Sequence, residues 1–281
     1  DGLYRVLRSL ASLGVFEEVS PGTFANNLAS STMRSDAPGS TQPMALWMSD
    51  PFHFRVYADM MHSVMTGQPA ADKTVGMPVF EYFQRDKELS EVFNDAMTAF
   101  SAFVVPAALE AYDFGDISLL VDVAGGHGQV LTSILQKHPR MRGILFDIAH
   151  VIAGAIPRLE QAGVNDRCST ATGDFFKAVP EGGDGYIMKH IIHDWDDERA
   201  LKILANIRKA MKPGGRIILL ESVLASSNQP DFGKLIDLEM LVMPGGRERT
   251  ADEFRALFQR AGFTVTKIVP TKSPLSVIEA R

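Results

Sequence analysis

The stretch KHIIHDWDDE, residues 189–198, closes an aliphatic run with an imidazole, a carboxylate and an indole in succession, His193, Asp194 and Trp195, behind a single cation, Lys189. An imidazole is the side chain best matched to taking a proton near neutral pH. To do so it needs an acid beside it that fixes its tautomer and stabilises the imidazolium. Alone, a histidine at a strand end is equally consistent with a structural hydrogen bond. A second stretch, VDVAGGHGQV at 121–130, sets Gly125, Gly126 and Gly128 between an apolar run and a helical one. Glycines there let backbone approach a ligand closely at the carboxyl edge of a strand. A dinucleotide site would call for a further glycine at 131, where Leu131 stands. Asp122 lies just before this turn, Asp147 ends GILFD nineteen residues after Gly128, and Asp174 follows the next apolar run in TGDFF. A carboxylate at 147 is placed to accept both hydroxyls of a ribose, and one at 174 to meet an adenine amine. Each aspartate taken singly reads as well as a loop or cap residue. At successive strand ends they fit an adenosine site.

These residues must be gathered by an α/β sheet. LLVDVAG, GILFDI, CSTATGD, GYIMKHII and RIILLES are short apolar runs, most with little alternation, as expected of strands buried on both faces. Helical segments such as GQVLTSILQKH and DERALKILANIRKAMK lie between them, which implies an open, mostly parallel sheet. The tail FTVTKIVPTKSPLSVIEA reads as a hairpin adding antiparallel pairing at the sheet edge. A domain border falls near Phe114, giving regions 1–113 and 114–281. In the first region Leu3, Val6, Leu7, Leu10 and Leu13 share a helical face that Gly14 ends, and VFEEVSPGTFANN forms two short strands around a Ser-Pro-Gly turn. A helix with a small hairpin is a winged-helix-like unit. Residues 42–66 and 78–112 read as helices joined by a loop at TGQPAADKTVGMP, with Pro106 bending or interrupting the second. Phe93, Met97 and Phe100 share one face, either of a core or of an adaptable aromatic pocket.

The totals narrow the partners. The chain has 281 residues, 46% hydrophobic and 22% charged, the balance of a soluble globular protein. A net charge of -6 argues against a nucleic-acid footprint, so the hairpin unit reads as a packing or dimerisation element rather than a DNA binder. A single cysteine, Cys168, excludes an intramolecular disulfide or a cysteine metal cluster and fits a reducing cytoplasm. No apolar run approaches the ~20 residues of a membrane helix, and the first residues show no basic stretch followed by a small-residue cleavage site. Residue 1 is an aspartate already inside a helical pattern, so the chain is expected to be cut from a longer protein.

With these residues in view, the chain resembles the S-adenosylmethionine-dependent O-methyltransferases of the caffeic acid and hydroxyneurosporene type, found in plant phenolic and bacterial natural-product biosynthesis. VDVAGGHG, MKHIIHDW and PGGRERT carry the resemblance, with GILFD and GDFF at the matching spacings. The resemblance implies a Rossmann-like class I methyltransferase sheet behind a mostly helical, winged-helix-like N-terminal domain that dimerises. By position it implies that Ala124, Gly125 and Gly126 hold the methionine part of S-adenosylmethionine beside Asp122. Asp147 would bind the ribose, and Asp174 and Phe175 the adenine. Lys189, Trp195 and Ser101 would complete the cofactor site. His193 matches the catalytic base, flanked by Glu221 and Glu248. Phe93, Met97, Phe100, Met240 and Met243 match the acceptor pocket. Ala124 and His127 depart from the glycine and threonine usual in that turn, and a positive φ at Ala124 would be constrained.

The implied chemistry is a one-step displacement at an activated methyl group, which is mainly orientation work. A phenol, with pKa ~10, is mostly neutral at physiological pH, and a nearby histidine takes its proton as attack proceeds. No metal is required. His190, His127 and His138 read as structural, and Asp194 through Glu198 as acids opening the next helix. The expected acceptor is a phenol, a phenolic polyketide or a flavonoid-like ring. Two other readings share part of the pattern. A nicotinamide-dependent oxidoreductase is disfavoured by Leu131 and by the His-Glu-Glu set. A silent, regulatory relative is disfavoured by the retention of His193, Glu221 and Glu248.

Overall fold

The computed structural model describes residues 1–226 and 228–281. Helix α1 (Gly2–Ser12) precedes a hairpin of β1 (Phe16–Ser20) and β2 (Thr23–Asn26), as the pattern requires. Short helices follow: α2 (Leu28–Thr32), α3 (Gln42–Met48), α4 (Pro51–Ala58), α5 (Met60–Thr66), α6 (Ala70–Val75) and α7 (Val79–Arg85). The stretch expected as a loop after residue 66 therefore contains α6, whose Ala70 and Ala71 are fully buried; small residues there let neighbouring helices close in. Helix α8 (Lys87–Ala111) is capped by Asp86, which accepts from the Leu89 N–H. Pro106 does not end it. Val104, Val105 and Ala108 pack on both sides of the proline into the sheet core, and that burial outweighs one missing hydrogen bond. By length and composition α8 could cross a membrane, which the sequence reading did not register, yet it spans two protein cores. Leu89 and Ala96 pack with Trp47, Phe52 and Val56, while Val104 and Ala108 pack on the sheet.

The second region alternates strands and helices: β3 (Leu119–Val123), α9 (Gln129–Lys137), β4 (Arg142–Asp147), α10 (Ala149–Gln161), β5 (Cys168–Thr172), β6 (Gly185–Lys189), α11 (Asp197–Ala210) and β7 (Arg216–Glu221). Then come β8 (Val223–Leu224), α12 (Phe232–Val242), β9 (Arg249–Thr250), α13 (Ala251–Arg260), β10 (Val265–Pro270) and β11 (Ser276–Ala280). The main sheet has the order β10-β11-β7-β6-β3-β4-β5, with β10 and β11 antiparallel and the rest parallel. Side chains on the inner strands alternate between its two cores. Leu120, Ile187 and Ile218 face α8 and α9, whereas Val121, Met188 and Leu219 face α11 and α13. The two edge strands are the exceptions to two-sided burial; β5 leaves Ser169, Thr170 and Thr172 exposed, and β10 leaves Thr266, Lys267 and Pro270 exposed. At the third glycine position of a dinucleotide turn, Leu131 is fully buried and packs against Gly143.

Ionic contacts tie α4 to α12 and brace the far edge of the sheet. Glu239 on α12 accepts from Tyr57 at 2.7 Å and bonds His53 Nε2 at 2.8 Å, both on α4. At the far edge, Arg216 reaches Asp116 at 2.5 Å and Glu279 at 3.5 Å, and Thr266 donates to Glu279 at 2.6 Å. Burial would raise the Glu279 carboxyl, but bonds from Thr266 and Tyr112 and the charges of Lys267 and Arg216 outweigh it and hold it near about 2. Replacing Arg216 with methionine should lower the unfolding free energy by roughly 2–4 kcal/mol in urea melts, since Glu279 stays buried with less compensation. A depressed carboxyl contributes stability above its unfolded value near 4.5 and loses it as pH falls towards about 2. Glu279→Gln should therefore flatten the loss of stability over that window.

Candidate active site

The topology creates the site. At β3 the strand order reverses, with β4 on one side and β6 on the other, so the following loops diverge and leave a crevice at the carboxyl edge. A cavity of about 460 Å³ opens there. Ser101, Asp122, Ala124, Gly125, Gly126, Asp147, Asp174, Phe175, Lys189 and Trp195 all line it, together with Phe93 and Met97. Phe100, Met240 and Met243 are not in its wall. Phe100 packs towards the α8 core and stacks near Phe232, while Met240 and Met243 are buried.

The turn after β3 is built around Asp122. A Cβ on Gly125 would lie 2.6 Å from the Asp122 carboxyl and 2.5 Å from Leu145, so only glycine fits. Gly126 (φ 58°) donates its N–H to Asp147 Oδ2 at 2.8 Å, and Ile148 donates to the other oxygen at 2.7 Å. Ala124 holds φ 57°, a left-handed conformation that strains an alanine. Burial pushes the Asp122 carboxyl up to about 7, opposed by the charge of Lys189 and reinforced by Asp147. Lys189 is lowered by burial, against the carboxylates of Glu221, Asp122 and Asp194. Among the described residues, Asp122 Oδ2 and Trp195 Nε1 are buried without a hydrogen-bond partner. The Trp195 indole meets Phe176 edge-on at 4.8 Å and Phe175 at 6.0 Å. An adenosyl amino acid fits this wall: it offers an ammonium for Asp122, ribose hydroxyls for Asp147 and a flat base for the aromatic set.

Behind the cavity stands His193, 4% exposed, on a 3₁₀ turn (Ile192–Asp194). Its Nδ1 bonds Glu248 Oε1 at 2.7 Å and lies 3.8 Å from Glu221 Oε2. Glu221 also accepts the N–H groups of Ile191 and Ile192 at 3.1 and 2.9 Å, which aims the turn. The two glutamates converge because β8 and β9 pair, Val223 with Arg249 and Leu224 with Thr250. Burial pushes Glu248 up to about 8, reinforced by Asp237 and opposed by Arg249. The buried Arg249 guanidinium clamps the turn, donating to the carbonyls of Ile192 (3.2 Å) and Trp195 (3.0 Å) and to Asp197 (2.9 Å). The Arg247 N–H donates to the His193 carbonyl at 2.8 Å, and a Cβ on Gly246 would lie 1.9 Å from that carbonyl.

Sequence reasoning missed three groups. Asp194 does not open the following helix, whose N-cap is Asp196; it faces the cavity with Oδ1 3.4 Å from His193 Nε2. Burial pushes Asp194 up to about 7. His190 and His127, read as structural, both line the cavity. Ligand atoms of His190, His193 and Glu221 lie within 4.8 Å of one another, close enough for a metal ion. No sequence spacing announced this group, because the chain crosses a strand end at His190 and returns 31 residues later at Glu221.

The fold and this site are those of an enzyme that binds an adenosyl cofactor, with a buried histidine–carboxylate pair behind the cavity. Residues 57–264 match the model of the O-methyltransferase domain, and the chain belongs to that family of S-adenosylmethionine-dependent enzymes. It is 44% identical over 279 residues to phenazine O-methyltransferase PhzM of Lysobacter antibioticus, covering 99% of this chain and 82% of that one. The structure of mitomycin 7-O-methyltransferase MmcR superposes with a TM-score of 0.90 at 34% identity, covering 100% of this chain and 83% of that chain. An O-methyltransferase from neocarzinostatin biosynthesis, solved with S-adenosylmethionine and 2-hydroxy-5-methyl naphthoic acid, superposes with a TM-score of 0.83 at 29% identity, over 100% of this chain and 84% of that one.

Ala124→Gly should raise stability by about 1 kcal/mol in urea melts, because it removes left-handed strain. Arg249→Lys keeps the charge but loses the planar fork. It should lower kcat by roughly 10- to 100-fold while S-adenosylhomocysteine affinity changes little, which calorimetry and steady-state kinetics would separate.

Proposed function

We propose that the protein methylates a hydroxyl group on a small aromatic acceptor, with His193 as general base. The observation that carries this reading is the 2.7 Å bond from His193 Nδ1 to buried Glu248. When bound, S-adenosylmethionine supplies a methyl group already activated on a sulfonium. The chain's task is then to orient the acceptor oxygen and receive its proton. A proton held on Nδ1 by Glu248 leaves the Nε2 lone pair to accept one from a phenolic hydroxyl. The imidazolium that forms is stabilised by Glu248 in contact and by Glu221 at 3.8 Å, in a setting too dry to screen them. Asp122, Asp147 and Asp174 would hold the ammonium, ribose and adenine of the cofactor, with Trp195 and Phe175 beside the base. Phe93 and Met97 offer the acceptor a flat, adaptable wall. Phe100, Met240 and Met243 would join it only with the acceptor seated.

An aromatic natural-product acceptor is supported by the relatives, whose names specify a phenazine, a mitomycin and, at 37% identity over 228 residues, a flavonoid of Chrysosplenium americanum. We read residues 1–113 as the dimerisation and acceptor-pocket region and 114–281 as the cofactor domain. Exposed apolar side chains on α1 and α5, among them Leu3, Val6, Met61 and Met65, support a homodimer. A cytoplasmic location completes the reading.

His193→Ala should lower turnover by ~10²- to 10⁴-fold with cofactor binding nearly intact. Unchanged turnover would remove His193 from the mechanism. Ionised Glu248 and Asp194 favour the charged ring, and their fractions grow with pH through about 8 and about 7. Hence kcat should rise from roughly pH 6 to 9, and Glu248→Gln should flatten that limb. Methyl transfer should persist in excess EDTA; abolition would implicate a cation at His190, His193 and Glu221.

A further inference from the structure

His190 combines two unfavourable features beside the base. It holds φ 53°, a left-handed conformation uncommon for a non-glycine residue. Its Nε2 is buried without a partner among the described residues, which is unfavourable. The strain is imposed by the sheet: the His190 N–H donates to the Leu220 carbonyl at 3.1 Å, directly after β6 ends. The ring is thereby turned into the cavity wall, 4.3 Å from the His193 ring and 5.1 Å from Phe100. His190 is in that wall and its ring adjoins that of His193, which is not. Burial, with His193 and Lys189 close by, keeps the His190 ring neutral. A neutral imidazole offers a donor on one nitrogen and an acceptor on the other.

We propose that His190 is a specificity residue that hydrogen-bonds a polar group adjacent to the hydroxyl being methylated. The preferred acceptors are then aromatic rings with paired neighbouring heteroatoms: catechols, ortho-aminophenols, or phenols beside a ring nitrogen or carbonyl. Two imidazoles this close address substituents on neighbouring positions, not groups at opposite ends of a ring. A buried nitrogen left unpaired by an isolated phenol penalises that acceptor. The inference rests on the methyl-transfer reading above and names its substrate class.

The test uses the whole chain with S-adenosylmethionine and EDTA, and acceptor pairs that differ only in the neighbouring group, such as a catechol and its monophenol. The quantity read is the ratio of kcat/KM, paired over single. Wild type should favour the paired acceptor by roughly tenfold or more. His190→Phe, which keeps a ring without nitrogens, and His190→Gly, which suits the positive φ, should each cut that ratio at least about tenfold. His190→Asn, which tolerates the same φ and offers an amide, should restore much of it. Thermal melting with S-adenosylhomocysteine verifies folding, and the glycine variant carries the test if the phenylalanine variant fails it. A ratio within about twofold of wild type in the folded deletion variants overturns the proposal. Methylation of no acceptor by wild type overturns the methyl-transfer reading beneath it, an outcome that the ratio cannot mimic.

Discussion

The bond between His193 and Glu248 joins segments 55 residues apart, inside a site that excludes water. Much of the molecule serves to make it affordable. Asp122, Lys189, Asp194, Glu221 and Glu248 crowd the crevice, and burial disfavours the charged form of each. Lys189 and His193 offset the carboxylates, which raise one another. Such an arrangement holds only if the backbone carrying each group is fixed, which explains the density of hydrogen bonds around a short 3₁₀ turn. Glu221 takes two N–H groups of that turn, Arg249 takes two of its carbonyls, and the Arg247 N–H takes the His193 carbonyl.

The long helix α8 supplies the second constraint. Its first half belongs to the helical core with Trp47 and Phe52, and its second half to the sheet core with Leu120 and Leu145. Phe93, Met97 and Ser101 sit where one core gives way to the other, so the cavity lies at the seam. From the other side, the buried Glu239 pairing with His53 and Tyr57 ties α12 to the same helical core. The two sides of the cavity are therefore held by different cores but by one helix, which fixes their distance apart.

Family membership explains the shared machinery and leaves the acceptor to the wall. Under the proposed mechanism the glycine turn, Asp147 and the His193, Glu221 and Glu248 set would answer to the cofactor and the proton, which do not change with the acceptor. His190, His127, Phe80 and Phe83 line the same cavity and are given no part in that common chemistry. On that proposal selectivity among acceptors would reside there, because a buried polar atom or an aromatic edge discriminates through what it leaves unpaired or unfilled.

The sequence by itself determined the elements and most of the cavity wall. Apolar runs without alternation marked β3, β4, β6 and β7, and the glycine turn with Asp147 and Asp174 marked the carboxyl edge of the sheet, because these signals are local. It did not foresee α6, the continuity of α8 through Pro106, or the cavity-facing roles of His190 and Asp194. Each of these depends on packing between distant segments: buried alanines in α6, a sheet beneath Pro106, and the Leu220 carbonyl that turns His190 inward. Which glutamate holds the base was likewise decided only in three dimensions. Spacing lists Glu221 and Glu248 as equals, whereas the pairing of β8 with β9 brings Glu248 to 2.7 Å and leaves Glu221 at 3.8 Å, occupied with the backbone of the turn.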